Sequence, residues 1–146
     1  MKYLGIDYGH KKVGFAESDD MGMLAFPMMI SENNKLLIKD TLEIIKAMSF
    51  SVIVIGLSLD QKGEPNKIAK EVKDFADELE KKSKEQNINI KIVFEKEWFT
   101  TAEARKQPEA KRDVDDAAAA LILQRYLDKV NPKKYEGAEE DDGEDE

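Results

Sequence analysis

The first sixteen residues constrain the fold most. Met1-Lys2-Tyr3-Leu4-Gly5-Ile6-Asp7 reads as an apolar strand that ends in a carboxylate. Tyr8-Gly9-His10-Lys11 turns the chain, and Lys12-Val13-Gly14-Phe15-Ala16-Glu17-Ser18 returns as a second strand. Side chains alternate across a strand, so Leu4, Ile6 and Tyr8 share one face, and Tyr3, Gly5 and Asp7 the other. Asp7 is expected to end the strand on the face where Gly5 leaves open space. An ionised carboxylate on a buried strand is costly unless a cation or a hydrogen-bond donor satisfies it. Gly9 alone suffices for the turn, so stabilising the hairpin does not account for Asp7.

Further elements follow in order. A strand over residues 23–30 contains Pro27, which cannot donate to a ladder and belongs at a sheet edge. A helix over 34–48 keeps Ile38, Leu42, Ile45 and Met48 at helical spacing. Residues 51–57 form a strand whose Val52-Ile53-Val54-Ile55 is apolar on both faces, as in a central parallel strand covered by helices. A helix from about 65 to 86 carries the stripe Ile68, Val72, Phe75, Ala76 and Leu79. Residues 88–94 alternate as a strand, and a last helix spans 115–129. A three-strand meander followed by two strand–helix crossovers predicts an α/β fold. Its sheet is mixed and five-stranded, ordered 3-2-1-4-5, with strand 2 antiparallel and helices on both faces. Strands 1 and 4 then end at one edge, where open α/β sheets bind ligands.

At 146 residues the chain is long enough for one real core. The expected division is a domain over 1–132 and a disordered acidic tail over 133–146. Eight of the 31 acids lie in 136–146, which holds no basic residue; the other 23 balance the 23 Lys and Arg. A neutral body binds nucleic acid if its lysines cluster on one face. No cysteine is present, which excludes disulfides and thiolate metal sites. No apolar run is long enough to span a membrane, and the first apolar residues already read as a strand, so the expected compartment is the cytoplasm.

A strand that ends in Asp-x-Gly and returns as a hairpin resembles two groups: RNase H-like nucleases, which hold a divalent metal there, and the actin and sugar-kinase group, which approaches a nucleotide phosphate. The second group needs two such domains around a cleft, and this chain has room for one. Four blocks together make the chain similar to the YqgF family over about residues 1–130: Gly5-Ile6-Asp7-Tyr8-Gly9-His10-Lys11-Lys12-Val13-Gly14; Val54-Ile55-Gly56-Leu57-Ser58-Leu59; Glu97-Trp98-Phe99-Thr100-Thr101-Ala102; and the stretch from Val114-Asp115-Asp116 to Tyr126-Leu127. That family is RNase H-like, and its members are described as Holliday junction resolvases or as nucleases that process the 5′ end of precursor 16S rRNA.

The resemblance implies a hydrolase of ester bonds whose catalytic and metal-binding acids fall on Asp7, Glu97 and Asp115, with Asp60 as a backup ligand. It implies Mg²⁺ or Mn²⁺. Two such ions about 4 Å apart generate the nucleophile and stabilise the leaving oxygen of a phosphodiester. Each acid also has an ordinary reading. Glu95 shares the parity of Glu97, and the resemblance selects between them. Asp113, Asp115 and Asp116 open a helix, where acids cap backbone N–H groups and offset the helix dipole; the resemblance assigns Asp115 to metal and leaves the other two as caps.

Lys11, Lys12, Lys62, Lys96, Trp98, Arg105, Lys111 and Arg112 lie in segments expected near the active edge and form the predicted nucleic-acid contacts. His10 is expected to be a turn residue without a partner for general-base work. Where the family often has Asp-Glu-Arg, this chain has Lys96-Glu97-Trp98. Trp98 cannot fork to a phosphate as Arg does, but can stack on a base. The expected partner is nucleic acid, RNA before branched DNA, bound by a monomer or weak homodimer. The expected function is metal-dependent phosphodiester hydrolysis in 16S rRNA maturation. Junction resolution in DNA recombination is the alternative, and a nucleic-acid-binding domain without catalysis is a third reading, prompted by Lys96 and Trp98.

Overall fold

The protein is described here as a computed structural model over residues 1–59, 67–98 and 116–132. Its strands are β1 (Tyr3–Tyr8), β2 (Lys12–Ser18), β3 (Ala25–Glu32), β4 (Val52–Leu59) and β5 (Lys91–Trp98). Its helices are α1 (Leu37–Met48), α2 (Lys67–Glu85) and α3 (Asp116–Val130). The strands form one sheet in the order β3-β2-β1-β4-β5. β2 is antiparallel to β1 and β3, and β4 is parallel to β1 and β5. Fold class, strand order and strand direction all agree with the expectation from sequence.

Strand alternation divides the core in two. Leu4, Ile6, Val13, Phe15, Ile53 and Ile55 pack beneath α1 and α2. On the opposite face Tyr3, Ala16, Val52 and Val54 pack against Ala119, Ile122, Leu123 and Leu127 of α3. β4 feeds both layers, which is why its apolar run is continuous.

Pro27 lies in the edge strand β3, as its missing donor requires. The ladder steps from Phe15↔Met29 to Ala16↔Pro27, leaving Met28 as the extra residue of a bulge. β3 starts two residues later than expected because the Asp19 carboxylate accepts from the Met23 and Leu24 amides, at 2.8 and 3.3 Å, and keeps those residues in the loop. α1 starts three residues late for a similar reason. The Asn34 side chain accepts from the Leu36 amide at 2.9 Å and its carbonyl from Leu37 at 3.0 Å, a turn that precedes the helix.

The largest departure is at the last strand, expected over 88–94 and found at Lys91–Trp98. Ile88 and Ile90 pack on the core, but the ladder begins only at Lys91↔Val52. Alternating apolar residues report burial, not hydrogen bonding. The shift draws Glu95 and Glu97 into the sheet instead of leaving them beyond it. The expected tail over 133–146 lies outside the described residues.

Candidate active site

α3 runs antiparallel to β1. Tyr126 meets Tyr3, with ring centroids 6.1 Å apart. A Cβ on Gly5 would stand 2.7 Å from Leu123 Cβ and 3.0 Å from the Ala119 carbonyl oxygen. The space above Gly5 is therefore not open, as the alternation alone had suggested; the Leu123 side chain and the Ala119 carbonyl of α3 fill it. Two residues further along the same face stands Asp7, half-buried and level with Gly14 of β2. The N-terminal turn of α3, beginning at Asp116, lies toward this end of β1.

The register places the second acid. The last paired residues of β1 and β4 are Ile6↔Ile55, so Asp7 stands beside Gly56. Across β4, Gly56 pairs with Glu95, and Ser58 with Glu97. Asp7, Gly56, Ser58, Glu95 and Glu97 thus share the α3 face of the sheet. Glu97 Oε2 lies 2.9 Å from where a Gly56 Cβ would be, and Ile122 Cδ1 2.6 Å from it. The Glu97 carboxylate occupies the room that Gly56 leaves, in the strand next to Asp7.

The two glutamates differ sharply in surroundings. Glu95 is 3% exposed, and both its oxygens accept from Lys129 Nζ, at 2.8 and 2.7 Å. It is a buried, neutralised structural acid. Glu97 is more open, and its Oε1 accepts a longer contact of 3.3 Å from Arg125 Nη1. Burial is the first cause that raises the Tyr126 phenol above its ordinary 10.0; Tyr3 and then Glu95 add to it.

The remaining expected site residues fall in several places. Asp115, Asp60, Lys62, Arg105, Lys111 and Arg112 lie outside the described residues, as does the side chain of Trp98, whose backbone ends β5 opposite Leu59. Among the described residues no group of three His, Cys, Asp or Glu could hold a metal ion. Lys11 and Lys12 are exposed at the β1–β2 hairpin, and Lys12 shares the parity of Gly14, hence the face of Asp7. Lys96 is exposed but has the parity of Ile92, which packs on the α1–α2 side, so it lies on the sheet face opposite Asp7 and Glu97. His10 has a partner that was not expected: Glu71 of α2, with Nδ1 3.1 Å from Oε2.

Gly56, Arg125 and Lys129 escaped the sequence reading. A pair of acids two apart on a strand and a pair of bases four apart on a helix become complementary only once α3 is known to cross the sheet antiparallel to β5.

Among known proteins, the model of the family described as RuvX: Holliday junction resolvase matches residues 1–129. A protein of Sulfurihydrogenibium sp. named "Putative pre-16S rRNA nuclease" is 34% identical over 136 residues, covering 89% of this chain and 92% of the relative. A protein of the same name from Dehalococcoides mccartyi is 34% identical over 137 residues, covering 88% and 98%. In fold, the chain is similar to Thermus thermophilus RuvC in complex with a Holliday junction substrate, with a TM-score of 0.54, 13% identity, and coverage of 90% and 96%. It is also similar to the fowlpox virus resolvase in complex with Holliday junction DNA, with a TM-score of 0.52, 12% identity, and coverage of 90% and 99%. At such identities these two comparisons speak to the fold alone, which is RNase H-like. The chain belongs to the RuvX (YqgF) Holliday junction resolvase family, a nuclease family of hydrolases that act on phosphodiester bonds.

Proposed function

We propose that the protein is a divalent-metal-dependent nuclease that matures the 5′ end of precursor 16S rRNA in the cytoplasm. The observation that carries this reading is the placement of Asp7 and Glu97 on either side of Gly56: two carboxylates from separate strands, on one face at one sheet edge, with the Glu97 carboxylate reaching over Gly56 toward β1. Carboxylate oxygens are the donors that Mg²⁺ and Mn²⁺ prefer, and such ions keep several waters, so a small donor set suffices. Asp7 and Glu97 would hold the metal, with Asp115 as the third acid. When bound, the metal supplies an activated water and a counter-charge for the oxygen that leaves. The residues themselves set the geometry. The β1 ladder fixes Asp7, and Gly56 admits the Glu97 carboxylate. Lys11 and Lys12 stand at the hairpin beside Asp7, where their charge attracts a phosphate backbone.

The rRNA substrate rests on the names of the relatives, and junction resolution is the second reading because the matching family model carries that description. Purified protein incubated with a precursor 16S rRNA end, single-stranded RNA and a four-way DNA junction, with Mn²⁺ or with EDTA, separates them. Cleavage of the rRNA precursor in Mn²⁺ and none in EDTA is expected. Symmetric nicking of the junction alone supports the second reading. Binding without cleavage of any substrate contradicts both.

A further inference from the structure

We propose that Arg125 is a positioning residue for Glu97: it holds one carboxylate oxygen so that the other faces the metal site. This rests on the reading of Asp7 and Glu97 as metal ligands. Arg125 lies in α3, one turn before Lys129, and these two side chains meet Glu97 and Glu95 as a ladder. The rungs differ. Lys129 donates to both oxygens of Glu95, which is buried. Arg125 takes only Oε1 of Glu97, while Oε2 lies over Gly56, on the Asp7 side. A glutamate has three rotatable side-chain bonds, and Gly56, which carries no Cβ, leaves room for its carboxylate on that side of β4. Holding Oε1 limits that swing from the α3 side. Partners that orient a metal ligand through its second polar atom are a general device of metal sites.

The guanidinium charge opposes metal binding, and the orientation it imposes favours it. The Arg125 side chain is 48% exposed, so water and salt weaken the repulsion between its charge and a bound metal, while its 3.3 Å hydrogen bond to Oε1 still acts on one oxygen. Orientation is taken as the larger of the two, and Mn²⁺ binding by the Arg125 variants decides between them.

The test is Mn²⁺ binding to the full chain without nucleic acid, read by the EPR signal of free Mn²⁺, with melting temperature as a control. Arg125→Gln should weaken Mn²⁺ binding about 10-fold or more, the usual range for such partners, with the melting temperature nearly unchanged. Arg125→Lys should recover most of that loss, because the contact is a single charged donor on a single oxygen. If Arg125→Gln alters folding, Arg125→Met, which keeps the aliphatic stem, takes its place. Glu97→Gln is the reference. If it weakens Mn²⁺ binding while Arg125→Gln leaves it unchanged or tighter, the positioning role is wrong and the site stands. Unchanged Mn²⁺ binding in Arg125→Gln with weaker RNA binding assigns Arg125 to substrate and overturns the proposal. A Lys variant as weak as the Gln variant contradicts action through the charged contact. If Glu97→Gln itself binds Mn²⁺ normally, the metal reading fails, and the proposal with it.

Discussion

Two glycines on the same sheet face make different predictions. An added Cβ at Gly5 meets Leu123 Cβ at 2.7 Å and a backbone oxygen of α3 at 3.0 Å, and neither can rotate away. Gly5→Ala should lift α3 and cost about 1–3 kcal/mol, read from denaturant unfolding. At Gly56 the added Cβ meets Ile122 Cδ1 and Glu97 Oε2, both ends of flexible side chains. Gly56→Ala should fold with a small loss of stability, yet displace the Glu97 carboxylate and cut nuclease activity. A Gly56→Ala protein with full activity would separate Glu97 from the chemistry. Asp7 was legible in sequence because a lone acid at the end of an apolar strand needs a reason. The need for Gly56 was not, because it depends on a side chain two positions along a neighbouring strand.

At the scale of elements, α3 and β5 are joined by the Glu95–Lys129 ion pair beneath the site. Lys129 is 63% exposed and can be rehydrated, but Glu95 cannot. Lys129→Met should therefore destabilise the fold by about 1–3 kcal/mol through an unpaired buried carboxylate. The double variant Glu95→Gln/Lys129→Met should recover much of the loss in a mutant cycle. Equal stability of Lys129→Met and the wild type would mean that Glu95 reaches water. The raised Tyr126 pKa makes a further claim: its contribution is present below about pH 10, the unfolded value, and lost as pH rises through the folded value. Tyr126→Phe should flatten that alkaline loss in thermal unfolding. The elements themselves were largely legible, since helix stripes and strand alternation follow burial. Their ends were not. Asp19, Asn34 and the lead-in at Ile88 set the starts of β3, α1 and β5 by local hydrogen bonds and ladder register, which hydrophobic periodicity does not encode.

At the scale of the whole molecule, the meander and crossovers left one plausible sheet order, and the acids that the family resemblance selected could be located in it. What the sequence could not supply was the facing of side chains: Glu95 and Glu97 have the same parity, and only the packing of α3 assigns one to Lys129 and the other to Arg125, with its second oxygen over Gly56. Lys96, which looked equivalent to the other basic residues, falls on the far side of the sheet. The charge pattern makes a separate prediction. Deleting 136–146 removes eight acids and leaves a neutral body. The shortened chain should keep its melting temperature and bind RNA more tightly at low salt, with the gain fading as salt rises. Equal affinity at low salt would reduce the acidic segment to a solubility element.

The pairing of Asp7 with Glu97 as metal-holding acids is tested most directly by Mn²⁺-dependent cleavage of a precursor 16S rRNA end, comparing the wild type with Asp7→Asn, Glu97→Gln and Glu95→Gln under matched folding. Asp7→Asn and Glu97→Gln should each lose activity by orders of magnitude, Asp7→Asn without loss of stability, while Glu95→Gln keeps most of its activity. Full activity in a well-folded Asp7→Asn or Glu97→Gln protein, or a Glu95→Gln protein as inactive as Glu97→Gln, would contradict it.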